Sequence, residues 1–294
     1  MRILLTGKNG QVGFELQRAL APLGQVHAVD SNDCDLADAS ALRSLIRAVK
    51  PSLIVNPAAY TAVDKAEQES DIAHAVNAVA PGVMGEEADR LGASVVHYST
   101  DYVFDGRKDG AYQEQDPTAP LGAYARSKLD GELALQKATS RHLILRTSWV
   151  VGAHGSNFAK TMLRLAAERP ELRVVDDQWG APTSAALIAD LTAHLVARLK
   201  TGPAPFPFGL YHVAAGGETH WCDYARYVIA QARSAGKVLK ATPEDVHPIP
   251  SEAYPTLARR PQNSRLDTRR FRETFGLELP HWQSGLNHIL QQIL

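Results

Sequence analysis

Apolar runs and helical spacings alternate along the first half of the chain. The runs Arg2 to Thr6, Gln25 to Val29, Leu53 to Asn56, Val95 to Tyr98 and Leu143 to Leu145 are short and end in turn or polar residues, which predicts buried strands. Between them, Val12, Leu16 and Leu20 share one helical face, and Ala39 to Val49 repeats that spacing. Ala73 to Leu91 keeps a helical pattern despite Pro81 and Gly82, and a further helix carries Tyr124, Lys128, Leu129, Leu133 and Leu135. Such alternation predicts an α/β protein with a Rossmann-like doubly wound parallel sheet. Later in the chain, Asn157 to Ala167 reads as a helix with Phe158, Met162 and Leu165 inward, and Ala185 to Leu199 as another. Thr201 to Phe208 reads as a connector, Pro243 to Pro261 as extended loop, and Arg269 to Phe275 and Trp282 to Leu294 as closing helices. The expected division is a dinucleotide-binding domain over 1–148 and, over 149–294, mainly a smaller α/β substrate lobe, with later segments free to return to the first.

In an open parallel sheet, ligands lie beyond the carboxyl ends of the strands, so the residues that follow each strand carry the chemistry. Gly7-Lys8-Asn9-Gly10-Gln11-Val12-Gly13 follows the first strand, and its glycines are spaced three apart. They suit a tight turn, a close backbone approach to a diphosphate at a helix amino terminus, and a helix packed hard on a strand. Asp30 ends the second strand, where a carboxylate can hold adenosine ribose hydroxyls. Asp35 and Leu36 either touch the adenine or belong to a helix cap. Ala59, Tyr60 and Thr61, after the third strand, should face the cofactor. The fourth strand delivers Ser99, Thr100 and Asp101 to the same edge. Tyr124 and Lys128 lie four apart on one helical face, and an ammonium beside a phenol is expected to lower the phenol pKa towards neutrality. By itself that pair could be chance spacing on a surface helix; the company of the glycine turn and Thr100 gives it meaning.

Composition narrows the partners. The chain has 294 residues, 45% hydrophobic and 21% charged, with 31 basic against 32 acidic side chains. So balanced a surface offers no field for nucleic acid or membrane. Two cysteines, Cys34 and Cys222, make neither a disulfide framework nor a metal cluster, and a reducing cytoplasm is the expected setting. MRILLTG is too short an apolar run for a signal peptide, and no stretch is long enough to span a bilayer.

The segments GKNGQVG, NPAAYTAVDKAE, HYSTDYVFDG, YARSKLDGE, RTSWVVG, NFAKTMLRLA, VVDDQWGAPT, YHVAAGG and RPQNSRLDT together carry a closer likeness. On these motifs the chain resembles the dTDP-4-dehydrorhamnose reductase family of extended short-chain dehydrogenase/reductases. The resemblance implies reduction of the 4-keto group of a nucleotide-linked 6-deoxysugar, supplying rhamnose for surface polysaccharide. Tyr124 would be the general acid, Lys128 would hold the nicotinamide ribose, Thr100 would bond the carbonyl oxygen and Asp101 would contact the sugar. Cofactor contacts would involve Gly7, Gly10, Gln11, Val12, Gly13, Asp30, Asp35, Leu36, Ala59, Tyr60, Thr61 and Tyr98. Family members generally use NADPH and some also NADH. Here Asp30 and Asp35 would repel a 2′-phosphate and no arginine follows the second strand, so substantial NADH use is expected. The loop Asp176 to Thr183 is assigned to the sugar-nucleotide pocket. Trp149 would pack on sugar or thymine, or else sit in the core. Arg260, with Arg259 and Arg265, would hold the substrate diphosphate, or else form a solvated face. Some members form a homodimer through magnesium, for which Glu15 matches one ligand. Ala186 and Gln291 or Gln292 stand at the other places, so that set looks depleted. Two other readings stay open: a non-catalytic relative such as the regulatory subunit of methionine adenosyltransferase, and another sugar-nucleotide reductase or epimerase.

Overall fold

Strands that are apolar on both faces need cover on both faces. Every residue of Leu53–Asn56 and of Ser94–Thr100 is buried in the computed structural model, which describes residues 1–202 and 205–294. In chain order the first half contains β1 (Arg2–Leu5), α1 (Gln11–Leu20), β2 (Gln25–Ala28), α2 (Ala39–Val49), β3 (Leu53–Asn56), α3 (Ser70–His74), α4 (Ala80–Leu91), β4 (Ser94–Thr100), α5 (Ala123–Ala138) and β5 (His142–Thr147). The second half adds β6 (Val150–Val151), α6 (Phe158–Glu168), β7 (Leu172–Val175), β8 (Trp179–Gly180), β9 (Thr183–Ser184), α7 (Ala185–Thr201) and β10 (Gly209–His212). It closes with β11 (Thr219–His220), α8 (Trp221–Ser234), β12 (Val246–Ile249), α9 (Arg269–Phe275) and α10 (Trp282–Ile293). Residues 203 and 204, inside the expected connector, lie outside the described residues.

Six parallel strands form the main sheet in the order β10-β5-β4-β3-β1-β2. Side chains alternate between its faces as the two-residue period requires. Ile3, Leu5, Leu53, Val55, Val96, Leu143 and Leu145 pack with residues of α1, α7 and α9. Leu4, Ile54, Val95 and Ile144 point the other way, into a core shared with α2, α4 and α5. The strand order reverses between β1 and β3, the switch point at whose carboxyl ends a parallel sheet of this kind receives a ligand.

The helix predicted over Ala73 to Leu91 is longer and less regular. It begins at Ser70 and contains a π-turn, Ala75–Val79, between α3 and α4. Pro81, which has no N–H to give, falls in the first turn after the π-turn, where the hydrogen-bond ladder changes pitch. The wider turn buries Asn77 completely.

Three parts of the second half join the main sheet: α7 packs on α1, β10 extends the sheet beside β5, and α9 packs on β10. A second core, with Met162, Leu172, Val228, Ile229, Leu286 and Ile289, lies among α6, α8, α10 and the parallel pair β7–β12. The proline-rich stretch is therefore not all loop. Pro248 sits in β12, in a two-stranded sheet where a missing donor is tolerated because each strand is an edge. Among the described residues no helix is long and apolar enough to cross a membrane.

Candidate active site

The crevice is shaped first by glycine. Gly7 has φ +60, and a Cβ there would lie 2.9 Å from Ala58 Cα, so the turn after β1 rests directly on the loop after β3. A Cβ on Gly13 would meet Gly7 O at 2.0 Å, which brings α1 hard against the turn it follows. Gly10 is the N-cap of α1 and no side chain bonds the first-turn N–H groups among the described residues. A helix amino terminus left open in this way suits a diphosphate. The side chain of Gln11 turns away: its Oε1 accepts from Gly152 N at 2.8 Å and Asn157 Nδ2 at 3.0 Å, linking the glycine turn to the second core. Val12 packs against the first core.

At the end of β2, Asp30 is not a bare carboxylate. Asn9 Nδ2 donates to it at 2.5 Å, and Lys8 Nζ lies 3.7 Å from Asp30 and 2.5 Å from Asp33. Lys8 comes from the glycine turn itself, a source of positive charge that a search after the second strand overlooks. Asp35 is exposed and accepts from Ala37 N at 2.9 Å, a turn cap, while Leu36 packs on the core beneath.

After β3 the Tyr60 backbone is clamped by Asn77, which accepts from Tyr60 N at 2.8 Å and donates to Tyr60 O and to Ser127 Oγ, each at 3.0 Å. Ser127 donates in turn to Tyr124 O at 2.8 Å, so the π-turn ties the loop of Ala59, Tyr60 and Thr61 to the helix bearing Tyr124 and Lys128. The Tyr60 hydroxyl donates to Glu69, and its ring packs beside Tyr124 against Ala66, Ala73 and Ala123.

Thr100, Asp101, Tyr124 and Lys128 converge at the end of β4. Thr100 Oγ1 donates to Asp101 Oδ1 at 3.1 Å, while Asp101 Oδ2 is buried with no partner among the described residues. Burial raises the Asp101 carboxyl to about 6. Lys128 is 2% exposed; its Nζ donates to Tyr98 O at 2.7 Å and lies 3.3 Å from His97 Nε2. Burial lowers the ammonium to about 8, with Glu132 opposing. The expectation of a phenol tuned towards neutrality is overturned here. Low-polarity surroundings push Tyr124 up to about 12, and the Thr100 hydroxyl counters that only in part. The phenol thus keeps its proton at neutral pH, the state a proton donor needs.

Tyr98 and Trp149 are held in other ways. Tyr98 presents its backbone carbonyl to Lys128, but its side chain lies under the sheet, where its hydroxyl pairs with Thr192 at 2.8 Å. Trp149, at φ +46, is sandwiched between Gly180 and Trp221, its ring centroid 3.7 Å from that of Trp221. It is Trp221, with Val63, Tyr102, Phe158, Gln178 and Arg260, that lines the cavity of about 1540 Å³ next to the site. Tyr102 joins cavity to acid, its ring 6.0 Å from Tyr124 in an edge contact. Sequence reading missed Trp221 because α8 has no counterpart among the predicted elements. Arg260 reaches the cavity wall while paired to Asp64 at 2.8 Å, whereas Arg265 is turned to Glu218 at 3.0 Å.

Glu15 faces Arg18 at 3.6 Å, and the same guanidinium reaches Asp190 at 3.1 Å. A cation already stands between these carboxylates, and among the described residues no three metal-binding side chains gather. Within one chain these donors do not gather into a magnesium site among the described residues, and no chemistry is assigned to the ion.

A profile of the RmlD substrate binding domain matches residues 1–294. The chain belongs to the RmlD substrate binding domain family. Among curated members of this RmlD family, the dTDP-4-dehydrorhamnose reductase of Escherichia coli K12 is 50% identical over all of this chain and 98% of its own length. That of Burkholderia thailandensis is 45% identical, over 100% of this chain and 99% of its own. A solved dTDP-4-dehydrorhamnose reductase from Bacillus anthracis, in complex with NADP, superposes with a TM-score of 0.90 at 33% identity, covering 99% of each chain. The dTDP-glucose 4,6-dehydratase of Streptomyces venezuelae, at 19% identity and a TM-score of 0.79 over 99% of this chain and 96% of its own, shares the fold with the RmlD family chain.

Proposed function

We propose that this chain reduces the 4-keto group of dTDP-4-dehydro-L-rhamnose to give dTDP-L-rhamnose, using NADPH and, less selectively, NADH. The observation that carries this reading is the meeting of a protonated phenol, a buried ammonium and a strand-end hydroxyl beside an open glycine turn, in a chain 50% identical to a reductase of that name. When bound, the reduced nicotinamide supplies the hydride. Thr100, whose single hydroxyl proton is directed at Asp101 Oδ1, turns that proton to the sugar oxygen as charge grows on it, and Tyr124 gives that oxygen its proton. Lys128 holds the ribose and its charge favours the phenolate left behind. Asp101 Oδ2, buried and without a close hydrogen-bond partner among the described residues although the Ser264 hydroxyl lies near the carboxyl, is the group we assign to a sugar hydroxyl. The layer of α6, α8, α10, β7 and β12 is proposed as the substrate lobe, with Trp221 against the sugar nucleotide and Arg260 towards the diphosphate.

Loss of reduced-nicotinamide absorbance with freshly generated dTDP-4-dehydro-L-rhamnose tests this directly. Sugar-dependent oxidation of NADPH supports the reductase; tight NADPH binding without oxidation would favour a non-catalytic relative.

Lys8 gives a second expectation. Its ammonium is the cation placed to exchange Asp33 for a 2′-phosphate, so Lys8→Ala should weaken NADPH binding about tenfold and leave NADH nearly unchanged. Titration with both nucleotides measures it, and equal losses would mean that another group reads the phosphate.

A further inference from the structure

Behind Lys128 runs a line of buried polar side chains that the reaction as described does not use. Thr6, the residue before Gly7, donates from Oγ1 to Asn56 Oδ1 at 2.6 Å. Asn56 Nδ2 lies 3.0 Å from His97 Nδ1, and His97 Nε2 lies 3.3 Å from Lys128 Nζ. His97 is 0% exposed, and Thr6 and Asn56 are each 1% exposed. Burial and the neighbouring ammonium hold the imidazole neutral, its pKa well below the usual range.

A neutral imidazole has one donor and one acceptor nitrogen, so the line has a direction. With Asn56 donating to Nδ1, the ring proton falls on Nε2 and faces the N–H groups of Lys128, donor against donor. Turning the Asn56 amide end for end exchanges two groups of nearly equal shape and removes the conflict. Asn56 Nδ2 then donates to Thr6 Oγ1, His97 Nδ1–H donates to Asn56 Oδ1, and the Nε2 lone pair faces the ammonium. We propose that His97 is a positioning residue for Lys128, its Nε2 accepting from Nζ in an Nδ1–H tautomer that Asn56 and Thr6 fix. Lys128 then has two acceptors at the end of β4, His97 Nε2 and Tyr98 O, and its remaining donor is free for the ribose. The charged group acting on it from its own helix is Glu132, which is spent on Arg146, and Tyr124 lies one turn earlier on that helix.

The rate readout rests on the reductase reading; a spectroscopic one does not. In the unsubstituted protein with ¹⁵N-labelled histidine and sequence-assigned imidazole signals, His97 should carry its proton on Nδ1 throughout the neutral range. A proton on Nε2 would overturn the proposal whether or not the protein turns over any sugar. For the rate, His97→Leu should lower kcat about tenfold and move the basic limb of the pH profile to lower pH by about one unit, because Lys128 loses an acceptor that favours its charged form. His97→Gln, whose amide oxygen can take the place of Nε2, should restore most of both. An unshifted limb in a folded His97→Leu protein, with only stability reduced, would assign His97 a packing role instead.

Discussion

Tyr124→Phe should lower kcat by about a thousandfold, within the range that a positioned general acid contributes, while NADPH affinity changes less than about twofold. The argument rests on one oxygen. The ring stays in its packing against Tyr60, Ala66, Ala73 and Ala123, and the clamp through Ser127 and Asn77 acts on the Tyr124 backbone, so both survive the substitution. Only the proton donor is removed. The phenol is held protonated by its surroundings, and the Thr100 hydroxyl at the end of β4 is far too weak an acid to substitute efficiently. Stopped-flow reduction under single-turnover conditions, beside a fluorescence titration with NADPH, separates chemistry from binding. Near-normal turnover would show that the proton comes from elsewhere.

The second large effect concerns stability. Arg146 on β5 and Glu132 on α5 form a two-pronged pair, Nε to Oε1 at 2.8 Å and Nη2 to Oε2 at 2.6 Å, with side chains 4% and 2% exposed. Removing one partner of a buried pair strands the other charge, so Glu132→Ala should lower the unfolding free energy by about 3–5 kcal/mol. The Phe104 ring over the guanidinium, 5.1 Å from its centre, cannot replace a carboxylate. Replacing both residues together, Glu132→Leu with Arg146→Met, should recover most of the loss, because no buried charge is then left alone. Urea midpoints at an unchanged slope measure both proteins. A loss under about 1 kcal/mol for Glu132→Ala would mean that water reaches Arg146 and the pair is not truly dry.

Much of this architecture was legible in the chain because the strands are short continuous apolar runs ended by turn residues and most of the helices between them carry an apolar stripe. The glycine turn, Thr100, Tyr124 and Lys128 were legible for a different reason: strand ends in a parallel sheet have a known destination. What escaped was set by contacts between distant residues. Lys8 lies in a glycine turn, yet its charge acts on acids at the far end of β2. Trp149 and Trp221 are 72 positions apart in number and stack on one another, and of the two it is Trp221 that lines the cavity wall. The phenol pKa was misjudged because a neighbouring ammonium was considered without the burial that both groups share. Pro81 gave no hint that the turn before it would widen and carry Asn77 inward.

The shared amide of Gln11 has a mechanical meaning. One side-chain oxygen takes donors from Gly152 and Asn157 while its own backbone starts the helix under the glycine turn. The turn proposed to seat the cofactor and the segment leading into α6 are therefore fastened to each other through a single side chain. A reaction in which a misplacement of about 1 Å costs on the order of a hundredfold in rate needs its tolerance set at such a bearing.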